Sequence, residues 1–233
     1  VVEQVNGRVP VIVGSGATGT DLAVMLAQKA EAAGADVLLV LPPYFVKPAE
    51  EGLVRYYRTI SEAVNIPIIV QDEPETSGIN MSASLIARLA LEVPWGRYGK
   101  IEARPSTIKI SATKALAGDE MGLFGGLGGM YCLEELIRGG VGIMTGFTFP
   151  EALVQIYDNF IAGNLNKATE VYLRYLPLLV FEGQPGIGLG VRKEILRLRG
   201  VIKSAYVRQP GHALDETTYS ELHRLLDWMG IPN

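Results

Sequence analysis

The sequence predicts an α/β protein built on a parallel β-sheet. From Pro10 onward, short apolar segments alternate with amphipathic segments in six strand–helix units, and strict alternation of this kind requires crossover connections between parallel strands. Two of the apolar segments, residues 37–41 and 66–70, carry almost no polar side chain, which is typical of strands that are buried on both faces. Either an open doubly wound sheet or a closed barrel satisfies these observations.

The elements follow one another without a low-complexity linker. The predicted strands are residues 10–14, 36–41, 67–71, 98–103, 122–126 and 142–145. The helices that follow them are predicted at residues 18–33, 49–63, from 82 onward, 107–117, 131–138 and 150–162. Three more helical segments, residues 166–181, 191–198 and 217–229, form a tail. We therefore expect one domain with a helical extension at its C-terminal end.

Two local signals mark helix ends. Residues 1–5 have the pattern of a last helical turn, which Asn6 and Gly7 stop, because glycine is favoured just past a helix end. Ser82 precedes an apolar-periodic segment and is a predicted N-cap. Since a natural chain seldom begins at the end of a helix, we expect further residues before Val1.

Composition excludes several classes of protein. Hydrophobic residues make up 48% of the chain and charged residues 20%, an ordinary globular balance. A net charge of −4 gives no basic footprint for nucleic acid, and no apolar run reaches the ~18 residues of a membrane span. The single cysteine, Cys132, predicts no internal disulfide and a reducing cytoplasm. Without a Cys/His cluster we expect no metal site, and we expect no cofactor.

A glycine pattern at residues 14–19, GSGATG, has the spacing of a dinucleotide-binding turn. The acidic partner of such a site stands at the end of the second strand. Its candidate here, Asp36, stands at the beginning of that strand. The pattern therefore favours a structural strand-to-helix turn, and a dinucleotide-dependent enzyme is kept as an alternative.

Three consecutive segments carry a more specific pattern. They are NGRVPVIVGSG at residues 6–16, AEAAGAD followed by PPYFVKP within residues 30–48, and IPIIVQDEP at residues 66–74. They resemble the third, fourth and fifth units of the dihydrodipicolinate synthase / N-acetylneuraminate lyase family. The resemblance implies a TIM (β/α)8-type barrel that lacks its first two units, with units three to eight in residues 1–163. Residues 164–233 would be a helical extension of the same domain.

The resemblance implies a class I aldolase or lyase that forms a lysine Schiff base with pyruvate or another 2-oxo acid. By position the lysine is Lys100, in the segment YGKIEA at residues 98–103, and Lys109 is a distant second choice. Such an amine must be uncharged to attack, and burial inside a barrel disfavours the ammonium form. From the residues alone, a strand-end lysine that reaches solvent is the alternative.

Neighbouring polar residues give the candidate lysine possible partners. Strand alternation places Glu102 on the same face as Lys100, where it serves as proton acceptor or counter-ion, with a structural ion pair as the alternative. Gln71 occupies the position where the family usually has a proton-shuttling tyrosine, and an amide does not titrate. Glu73 shares the strand face of Gln71 and offers a substitute carboxylate.

Other positions depart from the family or match it only in the backbone. The family has a second tyrosine, contributed across the subunit interface, whose position is Phe45 in this sequence, next to Tyr44. The position of the arginine that the synthases have is Thr76 here. These departures argue against dihydrodipicolinate synthase itself and leave another aldolase, lyase or dehydratase. Gly125 and Ile143 match positions that border the 2-oxo acid, with tight structural turns as the alternative for the glycine.

The expected partners are a small-molecule 2-oxo acid and further copies of the chain, as a dimer or a tetramer. Neither nucleic acid nor a membrane is expected. A different class of function stays open, in which an altered or catalytically silent barrel of this family binds a 2-oxo acid or acts as a structural protein. Gln71, Phe45 and Thr76 motivate that alternative.

Overall fold

A computed structural model describes residues 1–232 and contains one six-stranded sheet. The strands are β1 (Ile12–Gly14), β2 (Val37–Val40), β3 (Ile68–Asp72), β4 (Tyr98–Ile101), β5 (Gly122–Gly125) and β6 (Gly142–Ile143). Their spatial order is their order in the sequence, and the pairs from β1 to β5 are parallel. A doubly wound sheet reverses its strand order at a switch point. The unbroken order therefore agrees with successive units of a barrel.

Eleven α-helices accompany the strands in the described residues. They are α1 (Val2–Val5), α2 (Thr20–Ala32), α3 (Glu50–Glu62), α4 (Pro74–Ser77), α5 (Ala83–Glu92), α6 (Ser106–Ala117), α7 (Cys132–Ile137), α8 (Pro150–Ile161), α9 (Leu165–Glu182), α10 (Gly188–Leu198) and α11 (Glu216–Trp228). The sequence predicted all of them except α4, which is too short to show a helical period. None of them is long and apolar enough to cross a membrane.

Both predicted helix-end signals are confirmed. Helix α1 ends at Val5. The next residue, Asn6, adopts the left-handed conformation at φ 49°, and Gly7 follows at φ 70°. The Ser82 side chain accepts a hydrogen bond of 3.1 Å from the Leu85 backbone N–H at the start of α5. That bond satisfies one of the free N–H groups of the first helical turn.

The two faces of the sheet differ in what covers them. Side chains on one face are buried with those of the helices in the main hydrophobic core: Leu38, Val40, Ile68, Val70, Ile101 and Leu123. The alternate residues form the opposite face, which we call the inner face: Leu39, Ile69, Gln71, Tyr98, Lys100 and Phe124. Most inner-face residues are only half-buried, so this face has room for polar side chains.

A buried ion pair lies on the helix side of the sheet. Asp72, at the end of β3, is fully buried, and its Oδ2 lies 2.7 Å from Lys109 Nζ on α6. Lys109 also donates a hydrogen bond of 3.1 Å to Asn80 Oδ1. Burial raises the pKa of Asp72 above its ordinary value, and Lys109 acts in the opposite direction. The pair ties α6 to the third strand.

We expect Asp72→Asn to lower the free energy of unfolding by about 3 kcal/mol, because it leaves the Lys109 ammonium without its counter-ion. The figure is the low end for a broken buried pair, since asparagine and Asn80 still accept hydrogen bonds from Lys109. Urea unfolding measures the change. Glu120→Gln, at the exposed Arg97–Glu120 pair, is the control and costs less than about 1 kcal/mol. Equal effects of the two variants would contradict the prediction.

The chain divides into two compact units. The first comprises Val1–Gly126 and Glu134–Gly142, and the second comprises Leu127–Leu133 and the chain from Ile143 onward. Within the second unit, the buried Glu182 accepts a hydrogen bond of 3.3 Å from the Thr148 backbone N–H. Burial raises the pKa of Glu182 to about 7. This contact joins the C-terminal end of α9 to the segment that precedes α8.

Candidate active site

Three polar side chains meet on the inner face of the sheet. Lys100 Nζ lies 2.9 Å from Glu102 Oε2, and Gln71 Nε2 donates a hydrogen bond of 2.9 Å to the same oxygen. The side chains of Lys100 and Glu102 are each 12% exposed. An amine, a carboxylate and an amide are therefore held together on the inner face, with a small exposed fraction of the Lys100 and Glu102 side chains.

The backbone places these groups by register and alternation. Strands β3 and β4 pair Gln71 with Lys100, so the two side chains stand beside each other on one face. Beyond the end of β4, the Glu102 N–H still donates a hydrogen bond of 2.9 Å to the Asp72 carbonyl. The ladder thus continues one residue past the strand, and Glu102 keeps the orientation that alternation predicts. The expectation that Lys100 and Glu102 share a face is confirmed.

Gly126, just past the end of β5, borders this group. A Cβ on Gly126 would lie 2.4 Å from Glu102 Cγ and 2.7 Å from Glu102 Oε1. Real Cβ atoms do not approach other atoms so closely, so the Glu102 side chain occupies space that any other residue would need. Gly126 therefore permits the observed position of Glu102.

We expect Gly126→Ala to displace Glu102 and to separate it from Lys100 and Gln71. Overpacking of this kind costs about 1–3 kcal/mol of stability, and any reaction that depends on the Lys100–Glu102 contact is lost with it. Thermal unfolding and a Schiff-base trapping assay measure the two effects. Gly19→Ala is the matched control, because a Cβ there meets nothing within 4 Å. An unchanged rate of trapping by Gly126→Ala would contradict the assignment.

Gly125 faces the other way, which corrects the expected placement of the glycine turn. A Cβ on Gly125 would lie 1.8 Å from Glu135 Oε2, and Glu135 is a buried residue of α7 that is 1% exposed. Ser106 Oγ donates a hydrogen bond of 2.5 Å to Glu135 Oε1. Burial raises the pKa of Glu135 to about 7. Gly126, rather than Gly125, thus borders the Glu102 side chain.

The sequence matches the model of the dihydrodipicolinate synthetase family over residues 1–229. The chain belongs to this family. It is 38% identical to a 4-hydroxy-tetrahydrodipicolinate synthase from Geobacter metallireducens over 76% of this chain and 61% of that protein. It is 33% identical to an L-2-keto-3-deoxyarabonate dehydratase from Azospirillum brasilense over 95% of this chain and 72% of that protein.

Solved structures agree with this assignment. A prophage protein of the dihydrodipicolinic acid synthase family from E. coli K12, solved in complex with pyruvate, superimposes with a TM-score of 0.90. The match covers 99% of this chain and 78% of that protein at 25% identity. Against the Geobacter synthase, the chain spans 61% of the relative's length. Family membership and the barrel-type arrangement of the strands are therefore supported by both sequence and structure.

Other predicted site residues of this dihydrodipicolinate synthetase family member lie outside the group formed by Lys100, Glu102 and Gln71, which we call the Lys100 group. Glu73 caps the short helix α4, because its Oε2 accepts a hydrogen bond of 2.7 Å from the Thr76 backbone N–H. Its carboxylate is thereby engaged at the helix start rather than beside Gln71. Tyr44 is 49% exposed and Phe45 is 83% exposed in the segment after β2.

Two more predicted residues are placed by their elements. Ile143 is the last residue of β6 and is half-buried. Lys109, the second choice for the Schiff base, belongs to α6 and pairs with Asp72 on the helix side of the sheet. Lys100 lies on the inner face, so the two lysines stand on opposite faces of the sheet.

The glycine turn at residues 14–19 has structural contacts. A Cβ on Gly16 would lie 2.7 Å from the Leu41 backbone N and 2.9 Å from the Leu41 carbonyl oxygen, so the two backbones pass too closely for a side chain. Asp36, the candidate acidic partner, lies just before β2. Its carboxylate accepts a hydrogen bond of 2.7 Å from the Val11 N–H. These contacts favour the structural interpretation of the turn.

Sequence reasoning missed two residues of this region. Gly126 is recognisable only as the second of two glycines at a strand end, and no pattern distinguishes it from Gly125. Glu135 belongs to the segment LEELI, which reads as an ordinary amphipathic helix. Only the packing of α7 against β5 shows that its carboxyl group is buried.

Proposed function

We propose that the protein is a class I aldolase or lyase in which Lys100 forms a Schiff base with pyruvate or another 2-oxo acid. One observation carries the proposal: the Lys100 amine lies 2.9 Å from the Glu102 carboxylate on the inner face. A nucleophilic amine beside a base, with the base held by a third group, is the arrangement that covalent catalysis requires. Gln71 is that third group.

Imine formation follows from this geometry. Glu102 accepts a proton from the Lys100 ammonium, and the neutral amine attacks the ketone carbon of the 2-oxo acid. The proton then returns to the substrate oxygen to give the carbinolamine. A second proton, from its nitrogen, converts the hydroxyl group into water, which leaves as the protonated imine forms. The contact of 2.9 Å is within the range for direct proton transfer.

Glu102 also suits the next proton transfer. A protonated imine withdraws electrons from the neighbouring carbon of the substrate, whose proton a nearby carboxylate can remove to give an enamine. The enamine then either adds to an aldehyde, as an aldolase requires, or expels a hydroxyl group, as a dehydratase requires. Gln71 keeps Glu102 oriented through its hydrogen bond and does not itself carry a proton at neutral pH.

The similar proteins support this class of chemistry, whereas the substrate is part of the proposal. One relative is named as a synthase and another as a dehydratase of a 2-keto acid, and a third was solved with pyruvate. Gln71 and Thr76 replace a tyrosine and an arginine that the resemblance associates with the synthases. We therefore infer an aldolase, lyase or dehydratase other than dihydrodipicolinate synthase.

We also propose substrate contacts, an assembly and a location. Tyr44 and Ile143 are the proposed substrate-binding residues, whereas Glu73, which caps α4, and Gly125, which faces Glu135, are not retained in that role. The exposed apolar segment at Tyr44, Phe45 and Val46 is suited to an interface in a dimer or tetramer, because large exposed apolar patches favour association. A cytoplasmic location fits the lone buried cysteine, Cys132.

The second candidate is a barrel that binds a 2-oxo acid without turning it over. The observation that favours it is the loss of both tyrosines, at Gln71 and Phe45. Loss of a general acid–base lowers a rate by about 10²–10⁴, unless Glu102 replaces it. A protein of this kind would bind 2-oxo acids and leave their carbon skeletons unchanged.

Borohydride trapping separates the two candidates. The protein is incubated with pyruvate and with a panel of longer 2-oxo acids, each in the presence of borohydride, and the adduct is mapped by peptide mass spectrometry. A reduced adduct on Lys100 supports the Schiff-base enzyme. An unmodified Lys100 with every 2-oxo acid, together with ligand-induced stabilisation, would favour the binding protein.

A further inference from the structure

A second carboxyl group lies close behind the candidate site. Glu135 is 1% exposed, and the only hydrogen bond to its carboxyl group in residues 1–232 comes from Ser106 Oγ to Oε1. Its other oxygen, Oε2, has no hydrogen-bond partner there, and no cation forms an ion pair with it. Buried carboxyl groups are usually paired or fully hydrogen-bonded. Glu135 therefore differs from the structural pair that Asp72 forms.

The two glycines at the end of β5 separate Glu135 from Glu102. The Glu135 carboxyl occupies the place of a side chain on Gly125, and the Glu102 side chain occupies that of Gly126. Adjacent residues of an extended chain project to opposite faces. One layer of backbone without any side chain thus lies between the two carboxyl groups, one on the inner face and one on the helix side.

We propose that Glu135 is a positioning residue for Glu102: an uncharged acid behind the glycine pair that keeps a second negative charge away from the Glu102 carboxylate next to Lys100. The proposal deepens the proposed function, on whose chemistry its kinetic consequence rests. Two carboxyl groups in a region of low dielectric constant do not both ionise readily. Lys100 and Gln71 stabilise negative charge on Glu102, whereas Glu135 is faced only by a hydroxyl group and keeps its proton.

The groups around Glu135 agree with this division. Burial raises its pKa to about 7, with smaller contributions in the same direction from the charges of Glu134 on α7 and Glu102 beyond β4. Ser106 at the start of α6 acts in the opposite direction through its hydrogen bond, and β5 presents only the Gly125 backbone. Below about pH 7 Glu135 therefore holds its proton. Above that pH it ionises, and two negative charges then face each other across the glycine pair.

The coupling is measured without any substrate. Glutamate labelled with ¹³C at the side-chain carboxyl gives a signal for Glu135 that is identified by its absence in Glu135→Gln. We expect Glu102→Gln to lower the pKa of Glu135 by about one pH unit, because a neighbouring negative charge is gone. Glu75→Gln, at an exposed carboxylate paired with Arg104, is the control and leaves it unchanged. An unchanged titration of Glu135 in folded Glu102→Gln would overturn the inference.

A kinetic experiment tests the same coupling. Glutamine at position 135 still accepts the Ser106 hydrogen bond but cannot ionise. We expect the pH profile of imine trapping by the natural protein to change slope near pH 7, and Glu135→Gln to lose this change of slope. Glu134→Gln, at the exposed neighbour, keeps it. A residue of purely structural importance would change the melting temperature and leave the pH profile unchanged, and that result would overturn the inference.

The two experiments fail separately. If the natural protein traps no 2-oxo acid, the proposed function is wrong, while the carboxyl titration still decides whether Glu102 and Glu135 are coupled. If trapping occurs at Lys100, but Glu102→Gln does not change the titration of Glu135 and Glu135→Gln does not change the pH profile, the proposed function stands and the role of Glu135 is refuted.

Discussion

Lys100→Ala abolishes covalent capture of any 2-oxo acid and reduces turnover to background. We expect this result because the variant removes the amine that lies on the inner face at 2.9 Å from Glu102 Oε2. Intact-mass analysis after borohydride reduction measures the capture. Lys100→Arg is the companion variant: it keeps a cation next to Glu102, so the fold is retained, but a guanidinium stays protonated and does not form an imine.

Lys109→Ala is the matched control for this prediction. Lys109 pairs with the buried Asp72 on the helix side of the sheet, so its loss lowers stability and leaves the inner face in place. We expect the Lys109 variant to unfold at a lower urea concentration and still to be trapped at Lys100. An adduct that persists in Lys100→Ala and disappears in Lys109→Ala would refute the assignment of the nucleophile.

Glu102→Gln separates imine formation from the proton transfers that follow. The amide keeps the shape of the side chain but cannot accept a proton, so we expect a loss of about 10²–10⁴ in the rate of turnover. Slow trapping at Lys100 continues, because solvent still deprotonates the Lys100 ammonium and the neutral amine then attacks the ketone. The comparison of the turnover rate with the trapped fraction at long times measures the two effects in one preparation.

Glu73→Gln tests the competing carboxylate. Glu73 caps α4 through the Thr76 N–H, so its substitution weakens a helix cap, which costs about 0.5–2 kcal/mol, and does not touch the Lys100 group. We expect nearly normal turnover from this variant. If Glu73→Gln lost as much activity as Glu102→Gln, the proton acceptor would have to be reassigned to Glu73, on the loop after β3.

The pairing of Lys100 with Glu102 was predictable because it is local. Residues two apart in a strand share a face whatever the strand pairs with, and the 2.9 Å contact follows from that period. The helix boundaries at Asn6 and Ser82 were predictable for the same reason, since caps depend on a few neighbouring residues. Gln71 was placed by resemblance, but its bond to Glu102 depends on the register of β3 against β4.

The sequence by itself determined the alternation of strands and helices, the ends of several helices and the shared face of Lys100 and Glu102, because period and capping act over a few residues. Only the tertiary structure decided that the strands lie in sequential order, that Asp72 binds Lys109 and that Glu135 stands behind Gly125. These contacts join residues 10 to 37 positions apart in neighbouring elements. Their geometry is set by how helices pack on the sheet, which no local pattern in the chain encodes.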